Sequence, residues 1–223
     1  MNRTMKEIYL LDLGLREYKE VWCIQDKLVK KIIAGEAKDT LILVEHFPVI
    51  TLGKQAKKEE ILASPERLSK KGITVFLVDR GGKVTFHGPG QLVAYPILNL
   101  TLIKRDVHWY IRNLERVIIK SLARLEVKGE CKGGYTGVWT GEDKIASIGV
   151  GVKKWVTYHG LALNVSTNLS YFSLINSCGL DKRITSITEI LSSPMEMDRV
   201  KTALVDSFCE VFERIPKIVN GEW

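Results

Sequence analysis

The chain holds only four cysteines, Cys23, Cys131, Cys178 and Cys209, and they stand far apart with no Cys-x-x-Cys pair among them. That spacing argues against a zinc knuckle, a redox dithiol or a disulfide scaffold. Reduced thiols in a cytoplasmic protein are therefore expected. No His/Cys/Asp cluster has metal-ligand spacing, so no metal site is expected. No apolar run approaches the roughly 20 residues of a membrane span. The early run Ile8-Tyr9-Leu10-Leu11 is broken by Asp12 and Gly14, with no small-residue cleavage site behind it, and it does not read as a secretory signal. There is no arginine-rich arm and no aromatic-and-basic RNA motif. Internal repeats, low-complexity stretches and linkers are also missing, so residues 1–223 read as one domain.

Apolar residues make up 45% of the chain and charged residues 26%, enough for a sizeable core under a solvated surface. The net charge of +7 suits either nucleic acid or an acidic protein partner. Lysines such as Lys27, Lys30, Lys31, Lys57 and Lys58 fall in helical stretches, where a solvated face explains most of them. Neither nucleic-acid nor membrane binding is expected.

Residues 6–13 read as an edge strand, and Leu15 to Ile33 as an amphipathic helix stopped by Gly35. Residues 40–45 read as a buried strand, followed by a loop and short strand through Gly53. Ser64-Pro65-Glu66 signals a helix start. Residues 73–78 read as a buried strand and 91–100 as another strand, on either side of a glycine-rich loop. Asp106 is a cap for the next helix. Residues 135–139 and 144–152 form a hairpin, and 158–165 another strand. Asn168 to Leu174 is a loose helical turn, 176–180 a loop, 185–191 a short helix, and Val200, Leu204, Phe208 and Phe212 mark a last long helix. Several strands follow one another with no helix between them. The fold class is therefore α/β of the α+β kind, a mixed, largely antiparallel sheet flanked by helices.

The loop Arg80-Gly81-Gly82-Lys83-Val84-Thr85-Phe86-His87-Gly88-Pro89-Gly90-Gln91 is longer than a hairpin turn requires. Glycines allow close approach to a ligand, and Arg80, Thr85 and His87 add donors; the alternative is a solvated turn. Cys178, in a Ser-Cys-Gly loop, is the best candidate nucleophile, with a buried loop cysteine as the plain alternative. Cys23 and Cys209 lie in helices and read as small core residues; Cys131 fits either role. A thiol near pKa 8.5 needs a cation or base beside it. Lys144 heads a half-buried strand and is either that cation or an ordinary strand end. His87 and His159 are competing bases.

Five pieces in order carry a resemblance: Arg80 to Gln91, Glu45-His-Phe-Pro-Val-Ile-Thr-Leu-Gly53, Gly137-Val-Trp139, Lys144-Ile-Ala-Ser-Ile-Gly149 and His159-Gly-Leu-Ala-Leu-Asn-Val165. The chain resembles the lipoyl(octanoyl) transferases, the lipoate biosynthesis protein B family. The resemblance implies a core like that of biotin and lipoate protein ligases. It implies a Cys178/Lys144 catalytic pair that moves octanoyl from acyl carrier protein, through a thioester on Cys178, to a lysine of lipoyl domains. Those acceptors are the lipoyl domains of 2-oxoacid dehydrogenases and the glycine cleavage H protein. No cofactor and no ATP are implied, because thioester to amide runs downhill. Arg80, Gly81, Gly82, Lys83, Val84, Thr85, Phe86, His87, Ser147, Ile148, Gly149, Gly160, Leu161 and Ala162 are implied to line the acyl slot. The family commonly has aspartate where Asn168 stands and proline where Ser177 stands. Rival readings are an ATP-dependent lipoate or biotin ligase, an amidotransferase between lipoyl domains, and a non-catalytic binding module.

Overall fold

The computed structural model describes residues 5–176 and 183–219. In chain order the elements are β1 (Lys6–Arg16), α1 (Tyr18–Ala34), β2 (Thr40–His46), β3 (Val49–Leu52), α2 (Pro65–Lys70), β4 (Thr74–Leu77), β5 (Val84–His87), β6 (Gln91–Ile97), α3 (Val107–Arg124), β7 (Val138–Thr140), β8 (Asp143–Lys153), β9 (Val156–Asn164), α4 (Ile187–Leu191), α5 (Met197–Phe212) and β10 (Arg214–Ile218). Short 3₁₀ turns at Lys58–Glu60, Leu100–Leu102 and Leu169–Leu174 join them.

A seven-stranded sheet runs β10-β1-β2-β6-β9-β8-β7, and a three-stranded sheet runs β4-β3-β5. In the large sheet β1 is parallel to β10 and to β2, and every later pairing is antiparallel. The sheet is mixed, largely antiparallel and flanked by helices. Its central strands are apolar on both faces because both faces are covered. In β2, Leu41 and Leu43 point to the layer of α3 and α5, while Ile42 and Val44 point to α1. Strand β6 divides likewise, Leu92 and Ala94 to one side and Val93, Tyr95 and Ile97 to the other.

The helices begin and end where side-chain chemistry permits. Asp106 accepts the N–H of Trp109 to cap α3, Ser64 accepts that of Arg67 to cap α2, and Ser186 accepts that of Glu189 to cap α4. Gly35, at φ +78°, closes α1 in the left-handed conformation.

Several expectations are corrected. Strand β1 is not an edge: the terminal segment Arg214–Ile218 pairs outside it. Leu15 belongs to β1, and α1 starts at Tyr18. The 73–78 strand is not buried. Strand β4 is one of the two outer strands of the small sheet, with Val75 and Leu77 exposed and only the flanking Ile73 and Val78 buried. The glycine-rich loop contains a strand, β5, antiparallel to β3. Within the 135–139 stretch only Val138 and Trp139 join a strand. Cys23 is exposed on α1, whereas Cys209 is buried in α5.

Candidate active site

A cavity of about 590 Å³ opens where the two sheets meet. The Arg80–His87 segment forms one wall and β8 and β9 another. Arg80, Gly81, Gly82, Lys83, Val84, Thr85 and His87 line it, as do Lys144, Ser147, Ile148, Gly149, Gly160, Leu161 and Ala162. Phe86 does not. Alternation along β5 turns it into the satellite core, stacked on Tyr171 at 4.8 Å between centroids. Cys178 lies outside the described residues. Of its described neighbours, Asn176 donates its N–H to the Glu60 carbonyl at 2.7 Å, and Arg183 accepts the N–H of Lys144 at 2.9 Å. Ile184, next in the chain, lines the cavity.

Lys144 reaches the cavity from the start of β8. Its Nζ lies 5.1 Å from the centroid of the buried Trp139 ring, within cation–π range. A bulge between Val138 and Trp139 sets Trp139 opposite Lys144.

Arg80 is buried, and its guanidinium lies along the cavity wall. Nη2 donates to the Thr51 carbonyl at 2.8 Å and hydroxyl at 2.9 Å, and Nη1 to the Gly81 carbonyl at 3.0 Å. Burial pushes its pKa down. Gly53 and Gly149 have to be bare beside it: a Cβ on Gly53 would sit 2.8 Å from Nη1, and one on Gly149 2.9 Å from Cδ. These glycines accommodate the arginine. Gly160 serves β-sheet closure, since its Cβ would fall 2.1 Å from the Ala94 carbonyl oxygen.

Behind this wall lies a polar cluster that sequence reading did not assemble. His46 bonds the Tyr95 hydroxyl at 2.8 Å. Tyr18 stacks on His87 at 6.2 Å between centroids. His87 Nδ1 meets Gln91 Oε1 at 2.7 Å, while Gln91 Nε2 donates to Asn164 Oδ1 at 2.9 Å. Gln91 therefore takes a proton from Nδ1, which assigns the bare nitrogen of the neutral ring as Nε2. Asn164 in turn donates to the Thr185 carbonyl at 3.0 Å, and Thr185 N–H donates to the Lys144 carbonyl at 3.0 Å. A continuous hydrogen-bonded chain thus runs from His87 to the strand end that carries Lys144.

Burial holds His87 at about 3 and His46 at about 4, so both are neutral near pH 7 and poor bases. His159, the other candidate, sits in β9 at φ +54°, uncommon for a side-chain-bearing residue. Its N–H is held by Gln25 Oε1 at 2.8 Å, and Nε2 contacts Asp79 Oδ1 at 3.2 Å. The hydrogen bond from His159 is the main reason Asp79 is held down at about 2. Tyr18, Tyr95 and Asp79 were missed because an aromatic within an apolar run reads as core and a lone aspartate as solvated. Glu45 accepts the Gly90 N–H at 2.7 Å and ties two sequence motifs together. Asn168 caps its 3₁₀ turn by accepting from Ser170 N at 3.1 Å, a role an aspartate fills equally.

This architecture, a mixed, largely antiparallel sheet flanked by helices, is that of the lipoate and biotin protein ligase-like catalytic domains. The fold is similar to the bipartite lipoate protein ligase of Thermoplasma acidophilum (TM-score 0.75, 18% identity, covering 97% of this chain and 88% of that one). It is also similar to the biotin protein ligase of Aquifex aeolicus (TM-score 0.54, 14% identity, covering 93% and 71%). Residues 17–209 match the model of the lipoyl protein ligase A/B catalytic domain. The chain is 43% identical over 208 residues to an octanoyltransferase of Thermoanaerobacter sp. (strain X514), covering 93% of this chain and 91% of that protein. It is 46% identical over 198 residues to the octanoyltransferase of Syntrophotalea carbinolica, covering 88% and 90%. The chain belongs to the lipoyl protein ligase A/B catalytic family, alongside relatives named octanoyltransferase.

Proposed function

We propose that this protein is an octanoyltransferase of lipoate biosynthesis, taking octanoyl from acyl carrier protein to a lysine of a lipoyl domain. The observation that carries the reading is Lys144. It stands at the wall of the cavity and is stitched by its main chain to Arg183, five residues beyond Cys178. The family resemblance pairs this lysine with Cys178, and the experiment below tests that pairing.

In the first half-reaction the Cys178 thiolate attacks the thioester carbonyl and the carrier thiolate leaves, taking a proton from the Lys144 ammonium. In the second, the acceptor amine attacks the octanoyl-Cys178 thioester and passes its proton to neutral Lys144. The amide forms and the Cys178 thiolate is released. Atoms and charge balance without ATP, and covalent catalysis of this kind predicts ping-pong kinetics. The acyl chain occupies the slot between Gly81–Gly82 and Gly149–Leu161. The net charge of +7 suits acidic carrier and lipoyl domains as partners. Among the described residues no helix is long and apolar enough to cross a membrane; we place the reaction in the cytoplasm, where both protein substrates would be met.

The deciding measurement is intact mass after mixing with octanoyl-acyl carrier protein. An added octanoyl that Cys178→Ser abolishes supports the reading. Dependence of transfer on ATP and free octanoate would make the protein a ligase instead. An octanoylated lipoyl domain that outcompetes the carrier as donor would make it an amidotransferase.

A further inference from the structure

Glu115 is a fully buried carboxylate in α3, one turn from the protein surface. Burying a carboxylate is costly unless it is paired and hydrogen-bonded, and this one is both. Oε2 accepts from Arg112 Nη1 at 2.7 Å and from the Cys131 thiol at 3.5 Å. Oε1 accepts the main-chain N–H of Gly137 at 3.1 Å. Gly137 sits at φ +132°, a conformation only glycine takes readily. Its bare Cα faces the tip of Lys144: a Cβ there would lie 2.8 Å from Lys144 Cε, 3.3 Å from Nζ and 2.6 Å from the Ala146 carbonyl oxygen. Two residues on, Trp139 lies under the same ammonium. The end of the Lys144 side chain is thus confined by a glycine on one side and an indole on another. The glycine's main chain is clamped by a carboxylate that does not itself line the cavity.

We propose that Glu115 is a positioning residue for Lys144. By clamping the Gly137 N–H it holds the wall that aims the ammonium into the cavity. This rests on the reading that Lys144 acts on the Cys178 thiol. The ordinary alternative is that Glu115 only stabilises the packing of α3 against the segment before β7. A purely structural role would lower stability and leave the chemistry of the folded protein unchanged.

The test compares Glu115→Ala, Glu115→Gln, Gly137→Ala and Lys144→Ala with the unmodified protein. The readouts are the pH midpoint of Cys178 alkylation by iodoacetamide, and kcat and KM with octanoyl-acyl carrier protein. Loss of a negative charge by itself lowers a thiol's pKa, so a rise in Glu115→Ala reports lost positioning. We expect Glu115→Ala to raise the alkylation midpoint in the direction of Lys144→Ala and to lower kcat at least tenfold with KM unchanged. Glu115→Gln keeps an oxygen acceptor for Gly137 and should stay within threefold of the unmodified kcat. Gly137→Ala leaves Glu115 in place and displaces the lysine directly, so its folded fraction should reproduce the Glu115→Ala profile. An unmoved midpoint in Gly137→Ala, or in folded Glu115→Ala, while Lys144→Ala shifts, overturns the positioning role alone. An unmoved midpoint in Lys144→Ala overturns the reading of the site and this inference with it.

Discussion

The main-chain N–H of Lys144 donates to the carbonyl of Arg183, and the Lys144 carbonyl accepts from Thr185. The strand end that presents the ammonium is therefore held by backbone, independently of its side chain. Lys144→Ala should fold, with a stability loss in the ordinary range of about 0.5–3 kcal/mol. Octanoyl transfer should fall by about 10²-fold or more, the scale of lost proton transfer. The pH at which Cys178 alkylates should rise. Single-turnover kinetics and an alkylation profile check both.

Arg80 should be structural as well as part of the slot. Its Nη2 satisfies both oxygens of Thr51. Arg80→Ala leaves the Thr51 carbonyl buried without that donor, and a loss of about 1–3 kcal/mol is expected. Thr51→Val removes only the hydroxyl contact and should cost less. Urea unfolding of the two variants tests the order; a smaller loss in Arg80→Ala than in Thr51→Val would refute it.

Acid should destabilise the protein through its buried histidines. His46 and His87 titrate at about 4 and about 3 when folded, because burial penalises their charged forms, against about 6.5 unfolded. Above pH 6.5 neither state binds the proton and stability is full. Below it the unfolded chain takes protons that the folded one refuses, so stability falls as pH drops toward 4 by about 1.4 kcal/mol per pH unit per histidine. The buried Asp39 carboxyl, raised by burial, works in the opposite sense, but it is common to all variants. Unfolding free energies at pH 7 and pH 5 should therefore converge in His46→Gln and His87→Gln. A slope unchanged by either substitution would count against this account.

Glycines around the cavity should divide by what their missing Cβ would strike. Gly160→Ala puts a methyl 2.1 Å from the Ala94 carbonyl oxygen and should break the β6–β9 pairing, giving little soluble protein. At Gly81 the nearest atom is the Val150 carbonyl oxygen at 3.6 Å. Gly81→Ala should fold within about 0.5 kcal/mol of the parent and instead raise KM for octanoyl relative to shorter acyl donors. Soluble yield and a chain-length series distinguish the two.

Much was legible along the chain. The alternating and continuous apolar runs announced β2, β6 and β9, because period-2 burial is a local pattern. Asp106, Ser64 and Gly35 announced helix ends, because capping involves only neighbours. Of the residues singled out in the motifs, Arg80 to Thr85, His87, Lys144 and Ser147 to Gly149 share one cavity. The exposure of β4 was not legible, since it depends on which elements come to cover that strand in three dimensions: β5, equally at an edge of the small sheet, is covered and buried. Nor was the interior position of β1, which β10 decides from the other end of the chain.

The sequence by itself determined the periodicities, the caps and the inventory of reactive groups, since each depends on residues a few positions apart. Only the tertiary structure decided which groups meet. It brought Arg80 onto Thr51, His87 through Gln91 and Asn164 to the strand of Lys144, and Glu115 onto Gly137. Hydrogen bonds reach about 3 Å whatever the sequence separation, so these pairings exist only once the sheets have closed.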